Sequence, residues 1–275
     1  MQKVIWFQDR TQRPIPPSIG TLSSLFFLSF SGDQINGVLP PDLGELVFLR
    51  KLFISSRNLR GAIPCQLGQC LLLEELNIHG TGISSPIPIE LGHLSLLTEL
   101  KLYDNLLTGP IPDLSSLLNL KVLNLHGNRL SGMLPASLGE LTKLQELLLH
   151  SNEFEGEIPP DLGNLVHLKC LDLSSNRLSG EISPELGKLI SLKSLKLYSN
   201  KLTGELPAEL GQLSNLLELD LQKNRLEGQV PSEWGNLEIL KHMYLAGNDG
   251  LNLSLPPEFR RDTRVWQLLA WEGFH

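Results

Sequence analysis

His79, Tyr103, His126 and His150 follow one another at intervals of 24, 23 and 24 residues, each two places before a position that is most often Asn. Imidazoles and phenols repeated so evenly can hydrogen-bond to a ligand or stack on it. Two histidines could also hold a metal, but His126 and His150 have no third ligand of obvious identity, so no metal is expected. Tyr198 continues the same column, and two residues upstream a second column alternates in charge through Asp172, Lys196 and Asp220. Cys170 stands nearby, yet no histidine is placed to activate it, and it reads as a surface thiol. A phosphate-cradling glycine loop, a GxSxG elbow and paired histidines at zincin spacing are all missing. The chemistry on offer is recognition without catalysis, and no cofactor is expected.

What positions these residues is a repeat. The pattern LxxLxxLxLxxNxLxGxIPxxLGxL begins at Leu22, Leu46, Cys70, Leu94, Leu117, Leu141, Leu165, Leu189, Leu213 and Leu237, 24 residues apart except for one interval of 23. Within a unit the LxL alternation has the period of a strand with one buried face. The glycine and proline that follow bend the chain, and the segment after the proline returns it in a short helical or irregular turn. One unit cannot bury its leucines alone, so stability must come from stacking each coil on its neighbours.

This repeat resembles the plant-type leucine-rich repeat found in the ectodomains of receptor-like kinases and receptor-like proteins. The resemblance implies an α/β fold: a right-handed solenoid with a parallel sheet along its concave side, short helical turns, and a second short strand at LxGxIP. The organisation expected is a partial repeat or N-terminal cap over 1–21, ten repeats over 22–256, and a degenerate capping coil over 257–275 that includes Phe259, Val265, Trp266, Leu268, Leu269 and Trp271.

Asn105, Asn128, Asn152, Asn176, Asn200, Asn224 and Asn248 recur where the chain leaves the strand. A tight corner there buries backbone groups, and an amide can bond those of its own coil and the next. The first three units break the rule with Asp33, Arg57 and Thr81, and the short fourth unit, with Ser115 in place of the glycine, predicts a local kink. Asp42, Glu90, Asp161, Glu185, Glu209, Glu233 and Glu258 follow the proline and fit the first turn of a helix, where a carboxylate meets the positive end of the dipole.

Function is expected at the positions the repeat leaves free. Equivalent residues of adjacent strands lie ~4.8 Å apart, so they form columns across the sheet. Lys196 is expected to compensate Asp172 and Asp220 laterally, and Arg50 and Lys51 to sit beside Glu74 and Glu75. Phe26, Phe27 and Phe53 occupy outward positions, joined by Ile5 and Phe7 if the leading half-unit is in register. That apolar patch is either a contact surface or an end covered by another segment.

A net charge of -7 and a pI near 5.5 argue against a phosphate-binding surface, so nucleic acid is not an expected partner. Cys65, Cys70 and Cys170 are too few and too unevenly spaced for a disulfide framework. No apolar run reaches the ~18 residues of a membrane span, and no secretory leader is found in these 275 residues, which predicts, if the chain is complete, a cytoplasmic protein that does not insert into a membrane. The alternative is a cell-surface location as part of a receptor. The expected partner is a protein or peptide, with the oligomeric state open.

Overall fold

In each coil the leucines of the LxxLxxLxL run turn to one side and the residues between them to the other. Leu144, Leu147 and Leu149 are each 0% exposed, as are their counterparts Leu49, Leu52 and Ile54. The computed structural model describes residues 2–6, 13–252, 264–265 and 268. It divides into two units, Met1–Ser131 and Gly132–His275.

In the first unit the strands Gln2–Trp6, Leu25–Ser31, Lys51–Ser55, Glu75–Ile78, Glu99–Lys101 and Val122–Asn124 pair in parallel, one per coil. Their register sets Leu52 beside Leu28 and Leu76, the equivalence the repeat demands. The second unit repeats the arrangement with Glu146–Leu148, Cys170–Asp172, Ser194–Lys196, Glu218–Asp220 and His242–Tyr244. The LxGxIP segments form the expected second set of short parallel strands, Ile35–Val38 and Asn58–Arg60 in the first unit and Arg177–Glu181 and Lys201–Glu205 in the second.

The return turns are 3-10 helices of five residues, such as Pro184–Lys188 and Ala208–Gln212. A proline before or inside the first turn limits how such a turn can start, and each ends in an i to i-3 bond, as from Leu189 N–H to Leu186 O at 3.2 Å. Asp42, Glu90, Asp161, Glu185, Glu209 and Glu233 all lie in first turns; Glu258 is outside the described residues. Of these helices only Pro184–Lys188 has a side-chain cap, Ser183, which accepts from Glu185 N–H. The glycine of each LGxL has a packing reason. A Cβ on Gly187 would collide with the carbonyl oxygen of Glu209 in the next coil, and one on Gly163 with that of Glu185.

The asparagines form a ladder, but it reaches back to the preceding coil and not on to the next. Asn224 donates from Nδ2 to Leu221 O in its own coil (3.1 Å) and to Leu197 O in the coil before (3.0 Å), while its Oδ1 accepts from Leu202 N–H (3.0 Å). Asn128, Asn176, Asn200 and Asn248 repeat the three bonds. Where the amide is missing, hydroxyls take over: Ser56 donates to Ile35 O at 2.6 Å, and Thr81 donates to Asn105 and accepts from Ile83 N–H. The one-residue deletion in the fourth unit removes the 3-10 turn of that coil, and a turn in which Asp113 Oδ1 accepts from Ser115 N–H at 3.0 Å stands in its place.

At the ends, Ile5 pairs in register with Ser29, as the half-unit required, whereas Phe7 lies outside the described residues. Val265 is buried, and Arg264 Nε donates to Leu240 O at 2.7 Å. Phe259, Trp266, Leu269 and Trp271 lie outside the described residues.

Candidate functional site

On the first unit the sheet register brings three of the four column residues into one stack. The rings of His79 and Tyr103 lie 4.5 Å apart at 17°, and those of Tyr103 and His126 4.9 Å apart at 15°. Each imidazole is also held from below. His79 Nδ1 bonds Asn77 Oδ1 at 2.8 Å, and His126 Nδ1 bonds Asn124 Oδ1 at 2.7 Å. An amide oxygen only accepts, so Nδ1 carries a proton in both histidines. His79 is half-buried, and burial lowers its pKa below the usual imidazole value, with the charge of Asp104 working the other way. The two asparagines stand in the same column as Asp172 and Lys196, and the N-x-H spacing along a strand sets each on one face with its histidine.

Asp104 is a residue the sequence reading passed over. It follows Tyr103 in a left-handed conformation (φ 52°), and His126 Nε2 lies 3.7 Å from its Oδ1. The signal was present: it is an acid at a position filled elsewhere by Gly, Ser or Lys. His150 belongs to the second unit, where its Nδ1 lies 3.3 Å from Ser151 Oγ.

Phe27 and Phe53 come together with ring centroids 5.6 Å apart, both half-buried. Phe26 is half-buried too, and its carbonyl accepts from Arg50 N–H. Arg50 pairs with Glu74 and Lys51 with Glu75, as the columns required, and Lys101 pairs with Glu99 at 2.6 Å.

On the second unit the charged column compensates laterally through its charges, Asp172 acting on Lys196 and Lys196 on Asp220, but not through direct bonds. Asp172, Lys196 and Asp220 are lateral neighbours by register, but the lysine bonds neither aspartate. Lys196 Nζ reaches Glu218 Oε2 at 3.0 Å. The short aspartates bond locally instead: Asp172 Oδ1 accepts from the N–H (3.1 Å) and hydroxyl of Ser174, and Asp220 Oδ1 from the N–H (3.1 Å) and amide of Gln222. A carboxylate on one methylene meets the backbone two residues on more readily than a lysine a strand away. Burial is the largest single influence on Lys196 and opposes its charge, but the bond to Glu218 together with the charges of Glu218 and Asp172 outweighs it and raises the pKa; Asp220 is raised by burial despite its two donors. Tyr198 is half-buried in the same face, and His242 stacks with Tyr244 at 6.2 Å, a pair not anticipated.

Cys170 is half-buried, not an open surface thiol. Burial, reinforced by Asp172 and Glu146, pushes its pKa up to about 11, which leaves it protonated at neutral pH. Among the described residues no three His, Cys, Asp or Glu side chains gather as a metal would need, and no helix is long and apolar enough to cross a membrane.

With this geometry in hand, the chain can be set beside known proteins. A family model for the Leucine Rich Repeat matches residues 119–141, 143–165, 167–189, 191–213 and 215–237. None of the curated proteins matches. Among solved structures, a plant peptide hormone receptor, RGFR1 in complex with RGF2, is 36% identical with a TM-score of 0.84, covering 86% of this chain and 38% of its own. The ectodomain of the Arabidopsis receptor kinase HAESA, with an N-terminally extended IDA peptide hormone, is 38% identical at a TM-score of 0.81, covering 86% of this chain and 40% of its own. The leucine-rich repeat protein LIC12759 of Leptospira interrogans is 30% identical at a TM-score of 0.60, covering 89% of this chain and 71% of its own. The chain therefore belongs to the leucine-rich repeat proteins, of the plant type, with the solenoid fold of that family. It spans less than half the length of the receptors it matches.

These matches overturn the cytoplasmic expectation. The receptors among the similar structures are plant membrane receptors, matched through their ectodomains, which points to the cell surface or the extracellular space. The earlier inference rested on a leader missing from 275 residues, and a stretch spanning 38% of a receptor is no guide to a leader.

Proposed function

We propose that this chain is the non-catalytic, ligand-sensing part of a cell-surface receptor of the receptor-like kinase or receptor-like protein kind, and that it binds a peptide on the open face of its main sheet. One observation carries the reading: 36–38% identity over 86% of the chain to receptor structures that hold peptide hormones. The rings and charges held between the buried leucines support it, because they are ordered without filling the core. The contacts proposed are His79, Tyr103 and His126 on the first unit, with Phe27, Phe53 and neighbouring Phe26 as an apolar patch. On the second unit they are His150, Asp172, Lys196, Tyr198 and Asp220. Ordered aromatic side chains lose little entropy on binding and commonly anchor interfaces.

The test is affinity selection of random displayed peptides on the full chain, followed by calorimetry on variants. Tyr103→Ala or Tyr198→Ala should weaken the selected peptides by about tenfold or more while leaving thermal unfolding in place. Peptides that bind equally well to both variants would reject the sheet face as the recognition surface.

A further inference from the structure

The GxIP segments of the first unit carry an exposed apolar face that the repeat does not require. The residue between the glycine position and the aliphatic is Val38, Ala62, Pro86 and Pro110 in successive coils, whereas in the second unit the same place holds Glu157, Glu181 and Glu205. Further along each segment, Pro41, Cys65 and Ile89 form a second column beside the first. All of these apolar positions are exposed, Val38 to 55% and Ile89 to 63%. Within the first column the side chains reach from coil to coil. A Cβ on Gly61 would meet Val38 Cγ1 at 2.9 Å, and one on Gly109 would meet Pro86 Cβ at 3.8 Å, so these side chains lean over the glycine of the following coil. A contiguous apolar surface marks a contact site where scattered exposed residues would not.

Spacing and charge say what fits it. Equivalent residues of adjacent coils lie ~4.8 Å apart, close to the ~5.4 Å rise of one helical turn and well short of the ~6.7 Å between alternate residues of a strand. A helix laid along the columns therefore sets about one side chain per turn against each coil. Along one edge stand Asp42 and Glu90, with Asp113 in the fourth coil, and none of the three forms an ion pair among the described residues. Beyond the other edge Arg60 is exposed and donates to Leu59 O at 2.8 Å, so the two edges differ in sign.

We infer that this face docks an amphipathic helix of a partner protein, with aliphatic side chains along its contact stripe and Lys or Arg along the edge that meets Asp42, Glu90 and Asp113. The apolar columns supply the dry centre of the contact and the carboxylates its rim. The surface lies on the GxIP segments and not on the main strands, so it does not rest on the peptide-binding reading.

Cys65 stands inside the face and reports on it. It is exposed, whereas Cys70 is buried and burial pushes the thiols of Cys70 and Cys170 up to about 11, so a maleimide modifies Cys65 first. The full chain is treated with N-ethylmaleimide at neutral pH, alone or with a synthetic helical peptide that carries leucine at helical spacing and lysine along one flank. A counterpart with glutamate for lysine is the control. At about ten times its Kd the lysine peptide should slow modification of Cys65 about tenfold, read by mass spectrometry, and the glutamate peptide should not. Ile89→Gln removes only an exposed apolar side chain, so thermal unfolding should stay in place while the peptide binds about tenfold more weakly. An unprotected Cys65, equal protection by both peptides, or equal affinity in Ile89→Gln would overturn the inference. So would protection that grows with protein concentration alone, which gives the face to a second copy, or protection by phosphatidylcholine vesicles and not by the lysine peptide, which gives it to a membrane.

Discussion

At the scale of single residues, the face is shaped by short side chains that bond nearby. Asn77 and Asn124 hold imidazoles two residues on, Asp172 holds Ser174, and Asp220 holds Gln222. Side chains of the open face are thereby ordered in advance, and order of that kind lowers the cost of binding a ligand. His79 shows the consequence for titration. Burial penalises its charged form, so its folded pKa lies below the unfolded value near 6.5, and its contribution to stability is present above that value and lost as pH falls through the folded pKa. An NMR titration should therefore place His79 below 6.5, and Asp104→Asn should lower it further, because that carboxylate is what opposes the drop. A value that rises in Asp104→Asn would contradict the assigned cause.

At the scale of the coil, the decisive contacts are backbone to backbone. The glycine of LGxL leaves space for the carbonyl of the next 3-10 turn, and the asparagine closes the corner at the other side of the coil. Gly187→Ala should cost about 1 to 3 kcal/mol, since the obstacle is the Glu209 carbonyl and not the tip of a flexible side chain. Denaturant unfolding measures this, and an unchanged midpoint would mean the turns slide apart at no cost. Where the fourth coil has Ser115 for this glycine and one residue fewer, the 3-10 turn is gone. Pattern and geometry thus fail together at the same place.

At the scale of the molecule, each coil is stabilised by the coils beside it. In the second unit Leu195 is registered between Leu171 and Leu219, all 0% exposed. Leu195→Ala should cost about 2 to 5 kcal/mol. Because stabilisation passes from neighbour to neighbour, hydrogen exchange should quicken most in the strands of Leu171 and Leu219, and less in those of Leu147 and Met243. Equal loss of protection across the unit would instead indicate a single cooperative block.

The sequence by itself determined the repeat, its strand leucines, the asparagine ladder and the columns that face outward, because all of these follow from a period that places identical residues in identical surroundings. Even the ion pairs Arg50–Glu74 and Lys51–Glu75 were legible, since long side chains one coil apart need only a register to meet. What the tertiary structure alone decided was direction and distance at the free positions. It chose Glu218 over two aspartates for Lys196, stacked His79 on Tyr103 and Tyr103 on His126, and set Asp104 beside an imidazole. A repeat states which residues are neighbours, but rotamers and left-handed corners settle which atoms touch, and those depend on the packing of several coils at once.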